Sequence, residues 1–201
     1  MKRVALVTIL TVALASCLAG VALAKLAPHP LVARRSELPG FTSGTVHLRS
    51  TTSPSVYAKS ILGEGPKMAA KEVAGLKRKG FREAVRELIG TAGGDEALSL
   101  ALVFGTRKAA HKELEGSIAS SVKAQGSAEV KDFTISSIPG AFGFVASEAG
   151  HSGAVGNVLF AVGRCFFVVG DSLHTGTPEQ AAAAPSSGSL AVFGRAKHLC
   201  K

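Results

Sequence analysis

Tryptophan is absent from the 201 residues, and tyrosine occurs once, as Tyr57. Sites that stack sugars or bases lean on such rings, so a carbohydrate platform or a single-strand nucleic-acid groove finds little support. Acidic side chains are also scarce, 14 Asp and Glu against 23 Lys and Arg, for a net charge of +9. There are three cysteines, Cys17, Cys165 and Cys200, and no C-x-x-C pair. A dithiol redox centre of the usual spacing is thereby excluded.

The motifs of common chemistries are missing as well. Gly63-Glu64-Gly65-Pro66-Lys67 has the wrong spacing for a phosphate-cradling Walker loop and no Ser or Thr after the lysine. There is no G-x-S-x-G elbow. The histidines His29, His47, His111, His151, His174 and His198 show neither H-E-x-x-H nor H-x-x-x-H spacing. Gly150, Gly153 and Gly156 have the rhythm of a phosphate loop, but they lie between two expected strands and not ahead of a helix. A Ser-His-Asp set could be drawn from Ser152, His151 or His174, and Asp171 only if the fold brought them into one cleft. The expectation is no catalytic, cofactor-binding or metal-ligating set, and no cofactor.

One long apolar run is present. Met1-Lys2-Arg3 is followed by Val4 to Ala24 without a charge, a cationic start and an apolar stretch of the kind that directs export. Three readings stay open. Ala22-Leu23-Ala24 has the A-x-A form of a cleaved signal. Leu14-Ala15-Ser16-Cys17 resembles a bacterial lipobox, in which Cys17 would be lipidated. Uncleaved, about 20 apolar residues can span a bilayer, with Lys2 and Arg3 on the cytoplasmic side. All three place the remainder outside the cytoplasmic membrane, on its outer face or beyond. The leader contributes two of the basic residues and none of the acidic ones, leaving +7. For an exported domain that charge points to anionic lipid headgroups or envelope polymers, not to nucleic acid.

Residues 25–40, with Pro28, Pro30 and Pro39, read as a flexible stalk, and 41–201 as one globular domain. Asn157–Gly170 organises that domain. Val158–Val162 and Cys165–Val169 are β-branched and aromatic, too short for helices, and joined at Gly163-Arg164, which predicts a buried hairpin. Further strands are expected at Phe41–Ser53, Phe81–Ile89, Ala97–Phe104, Val130–Ile135 and Phe142–Ser147. Ser55–Gly63 reads as a turn or helical turn. Pro66–Lys79 reads as a helix stopped by Gly80, with Met68, Ala69, Val73 and Leu76 on its inner face. A second helix follows the N-cap Thr106 to about Gln125, with an apolar stripe through Ala110, Leu114, Ile118 and Val122. Pro178 opens a short Ala helix that Pro185 is expected to end, and Ser189–Leu199 forms a last one. Strand runs with segregated helices predict the α+β class: one mainly antiparallel sheet with helices on one side.

Lys77, Arg78, Lys79, Arg82 and Arg86 form a candidate anion-binding patch, set against the plainer reading of a helix end matched to its dipole. In an oxidising compartment Cys165 and Cys200 are expected to form a disulfide.

Several of these features together are similar to uncharacterised exported proteins of high-GC bacteria. They are Leu76-x-x-x-Gly80-Phe81, the strand to Phe104, the helix with Ala110 and Glu113-Leu114, the turn Ile138-Pro139-Gly140-Ala141, and Asn157–Phe160 with Gly163-Arg164. More loosely, the order of elements resembles extracytoplasmic sensor domains of kinases and Mog1/PsbP-like α+β domains. The resemblance implies non-enzymatic binding or sensing of a ligand or envelope protein. It carries over no catalytic residue.

Overall fold

The computed structural model describes residues 29–124, 129–147 and 152–201. Seven strands form one antiparallel sheet: β1 Thr45–Thr51, β2 Phe81–Gly90, β3 Glu96–Phe104, β4 Glu129–Phe133, β5 Phe142–Ser147, β6 Ala154–Val162 and β7 Cys165–Leu173. Their order is β1-β2-β3-β7-β6-β5-β4. The sheet is two meanders, β1 to β3 and β4 to β7, sewn together where β3 pairs antiparallel with β7. The hairpin expected at Gly163-Arg164 is β6–β7, and β7 is the middle strand of the seven.

Four helices accompany the sheet. α1 is the single turn Pro54–Val56, which runs into a π turn, Tyr57–Ile61. α2 is Pro66–Arg78, α3 is Arg107–Ala124 and α4 is Pro178–Leu199. The class is α+β, as expected, but helices lie on both faces of the sheet. The connections explain why. The chain leaves β3 and reaches the far edge strand β4 by crossing one face as α3; from β7 it turns back over the other face as α4. Strand alternation follows suit. Phe166 and Leu102 point into a core under α2 and α3, whereas Cys165, Phe167 and Val169 point into a core under α4. Phe160 and Phe167 stack there with ring centres 4.9 Å apart. Burial of each such ring is worth about 1.5–3 kcal/mol.

The helix ends differ from expectation at Pro185, which lies inside α4 and does not end it. Proline removes the N–H that would bond the Ala181 carbonyl four residues back. That carbonyl presses instead on β6 at Gly156, where a Cβ would stand 1.7 Å from Ala181 O. Only glycine leaves room for so close an approach. A capping box of Thr177 and Gln180 starts the helix. Ala181, Ala184, Ser189, Val192 and Ala196 then keep one buried face in register through the proline.

The segment read as a stalk is packed, not free, from Leu31 on. Leu31, Val32, Ala33, Leu38 and Phe41 are buried in the α4-side core. Since α4 packs over β5, β6 and β7, these residues help to close the same face toward β2 and β3. Ala33 N donates to Ser99 Oγ on β3 at 2.8 Å. Arg195 of α4 donates to the Pro30 and Val32 carbonyls, each at 2.9 Å, and holds both carboxylate oxygens of Glu37. The fold therefore begins before Phe41. Two apolar positions face water against expectation: Met68 of α2 is 57% exposed, and Val122, at the end of the α3 stripe, 51%.

The leader, Cys17 included, lies outside the described residues. Among the described residues no helix is long and apolar enough to cross a membrane.

Candidate basic groove

The expected disulfide is present: Cys165 at the start of β7 and Cys200 just after α4 are bonded, with Cα atoms 5.7 Å apart. Its surroundings are tightly stitched. Arg164 N donates to Cys200 O at 2.9 Å, and Phe104 N, at the end of β3, donates to Arg164 O at 2.9 Å. Gly163 adopts φ +52°, and a side chain there would meet Cys200 O. The β6–β7 turn is thus held by the end of β3, just ahead of the start of α3, and by the end of α4.

Those two helix ends and the turn enclose an open groove of about 1060 Å³. Arg107, Lys108, His111 and Lys112 of α3 line one wall and Lys197 of α4 the other, with Glu115 as the one acidic lining residue. The base is apolar, from Ala161, Val162, Phe193 and Pro139 of the β4–β5 connection. Helical spacing explains the α3 wall. Ala110 and Leu114 turn inward to the sheet, which leaves Arg107, His111 and Glu115 as one row and Lys108 and Lys112 as the next. Glu113 points elsewhere and pairs with Lys79 at the end of α2. Phe193 is held from behind, its ring edge-on to Phe160 at 6.4 Å, and Lys197 Nζ lies 5.1 Å from its centroid.

The charge at this end is unbalanced. Arg107, Lys108, Lys112 and Lys197 make no ion pair among the described residues. Thr106 caps α3, its Oγ1 accepting from Ala109 N at 3.2 Å, but no acidic residue occupies the first turn. Two cations there oppose the helix dipole, at about 0.3–1 kcal/mol each. Such local inconsistencies concentrate at functional sites. A positive wall over an apolar base fits a ligand with an anionic head and an apolar body.

The basic patch expected from sequence does not hold together as one surface. Lys77, Arg78 and Arg82 are exposed, and Lys79 is half-buried on Glu113. Arg86 is 7% exposed, because β2 is an inner strand and the π turn covers that face; its guanidinium donates to Ile61 O. Burial, joined by the like charge of Arg49, lowers its pKa below the ordinary arginine value, while Tyr57 and Glu96 act the other way. Of the groove residues, the α3 cluster had a signal in the chain, a basic run directly after an N-cap with no acid behind it. Lys197 had none beyond its nearness to Cys200.

Nor do the described residues assemble the hydrolase set. Ser152 and His174 are exposed, Asp171 is enclosed on β7, and His151 lies outside the described residues. Among the described residues no group of three or more His, Cys, Asp or Glu could hold a metal ion.

No known family profile matches the chain. No curated protein matches it either. Among solved structures, the fold is similar to the extracellular domain of PknH from Mycobacterium tuberculosis. The TM-score is 0.52 at 11% identity, over 84% of this chain and 94% of that one. At that identity the likeness establishes the fold alone.

Proposed function

We propose that this protein is an exported, non-enzymatic binding module of the cell envelope, sensor-like in type, whose basic groove takes an anionic amphiphile such as a phosphate-headed lipid. The observation that carries the reading is the groove: four Lys and Arg side chains without carboxylate partners among the described residues, set over an apolar base. Export is supported by the cationic start and apolar run of residues 1–24 and by the disulfide. The fold's likeness to an extracellular domain is consistent with both. Attachment to the membrane, through Cys17 or through an uncleaved leader, is a separate part of the proposal. Intact mass of the protein from its own envelope decides it: a chain starting at Lys25 is released, acyl mass on Cys17 marks a lipoprotein, and full length marks an anchor.

Monododecyl phosphate, kept below its micelle concentration, is the probe for the groove. Titration calorimetry should show binding that weakens at least about tenfold when Lys112→Glu and Lys197→Glu are combined, since two reversed contacts remove about 1.4 kcal/mol or more. An uncharged dodecyl sugar should bind far more weakly. Equal binding of both amphiphiles, unchanged by the reversal, would refute the anionic part of the reading.

A further inference from the structure

The opposite end of the β6–β7 hairpin carries a second, smaller pocket of about 230 Å³, between the start of α4, the end of β7 and residues 39–41. Asp171 of β7 lines it and is only 2% exposed. Asp171 Oδ1 accepts from Gly156 N at 3.1 Å; Oδ2 is buried with no hydrogen-bond partner. Buried carboxyl oxygens are rarely left so, because desolvation without a partner is costly. Asp95 lines the same pocket. One of its oxygens accepts from His174 N at 2.8 Å, and the other is uncommitted among the described residues. Phe41 and Leu173 supply apolar wall, and no Lys, Arg or His lines the pocket.

We propose that this pocket binds a primary ammonium group, carried by a small free amine or by a lysine side chain, with the carboxylates of Asp171 and Asp95 accepting its N–H donors. An ammonium offers three donors and no acceptor, the complement of two carboxylates with spare oxygens. A hard divalent cation would want six or more oxygens, and the described residues bring no third acidic or histidine ligand to the two carboxylates. The volume admits the ammonium and a short apolar stem beside Phe41 and Leu173.

Ammonium binding at this pocket competes with protonation of Asp171. Burial pushes the Asp171 carboxyl up to about 8, the Gly156 N–H bond pulls it down, and the Asp95 charge raises it further. The other charged groups nearby are the exposed Glu179 in the first turn of α4 and the exposed His174 beyond β7; Pro39, Gly40 and Phe41 carry none. An alkylamine keeps its proton to about pH 10. Affinity should therefore follow the ionisation of Asp171, and binding should release close to one proton well below pH 8 and progressively less above it.

The test is an NMR titration of the protein with methylammonium and with Nα-acetyl-lysine N-methylamide, at pH 6.5 and pH 8.5. At least one should bind, roughly 25-fold more tightly at the higher pH for a midpoint near 8. Asp171→Asn should abolish both the binding and its pH dependence, and tetramethylammonium, which has no N–H, should not compete. Which amine binds identifies the source of the ammonium. If Asp171→Asn fails to fold, the carboxyl 13C shift of Asp171 decides instead: the bound amine must move its midpoint below 8. Failure of both amines at both pH values, equal affinity at the two, or competition by tetramethylammonium overturns the proposal.

Discussion

Asp171 holds its proton well above the pH at which an exposed carboxyl sheds it, and this couples stability to pH. Because burial raises its folded pKa to about 8, the unfolded chain loses that proton near pH 4 while the folded chain keeps it. Between those values the folded state binds more protons, so this group's contribution to stability falls as pH rises from about 4 to about 8. Urea midpoints of Asp171→Asn should lack that downward trend. A variant that declines as steeply as the wild type over this range would contradict it. Glu37 has the opposite sign. Burial opposes its ionisation, but the Arg195 hydrogen bond, the Arg34 backbone N–H and both guanidinium charges hold its carboxyl below the ordinary range. Its contribution is present above that range and is lost as pH falls through the lowered value. Arg195→Met removes the Glu37 pair and two carbonyl bonds at once. It should cost about 2–3 kcal/mol and speed amide exchange across residues 31–41, with β7 amides protected as before. Neither role was legible in the chain: Arg195 reaches Glu37 across 158 residues, and nothing local marks that pairing.

At the scale of elements, most of the secondary structure was legible because its signals are local. The β-branched hairpin, Pro66 and Gly80 around α2, and Thr106 before α3 each announce themselves in a few residues. Two readings failed for reasons that are tertiary. Prolines at 28, 30 and 39 look like a tether until Leu31, Val32 and Leu38 are seen beneath α4. Pro185 looks like a stop until the carbonyl it orphans is seen against Gly156. That close approach is testable. Gly156→Ala should destabilise the fold by about 3 kcal/mol in chemical denaturation, the upper part of the usual overpacking range, because the added methyl must displace a helix backbone. A neutral result would mean α4 does not press on β6 there.

The whole molecule places its two candidate sites at opposite ends of one central hairpin, and the disulfide governs one of them. Cys165 and Cys200 close a separation of 35 residues, worth about 3–4 kcal/mol in the loop-entropy account. Replacing both with Ala should lower the unfolding free energy by about that much and weaken amphiphile binding, since Phe193 and Lys197 ride on the helix end that the bridge pins. The sheet's class was readable from strand runs. The coverage of both faces was not, because it follows from where the chain crosses. The groove likewise joins Arg107–Lys112 to Lys197 only through the strand order that carries α3 and α4 to the β6–β7 turn.

Anionic-amphiphile binding in the groove is tested most directly by an amide shift map with monododecyl phosphate added to the isotope-labelled protein. Perturbations should centre on residues 107–115, 161–163 and 193–197 and diminish as salt is raised. Shifts centred away from those residues, or none with amphiphile in excess, would contradict it.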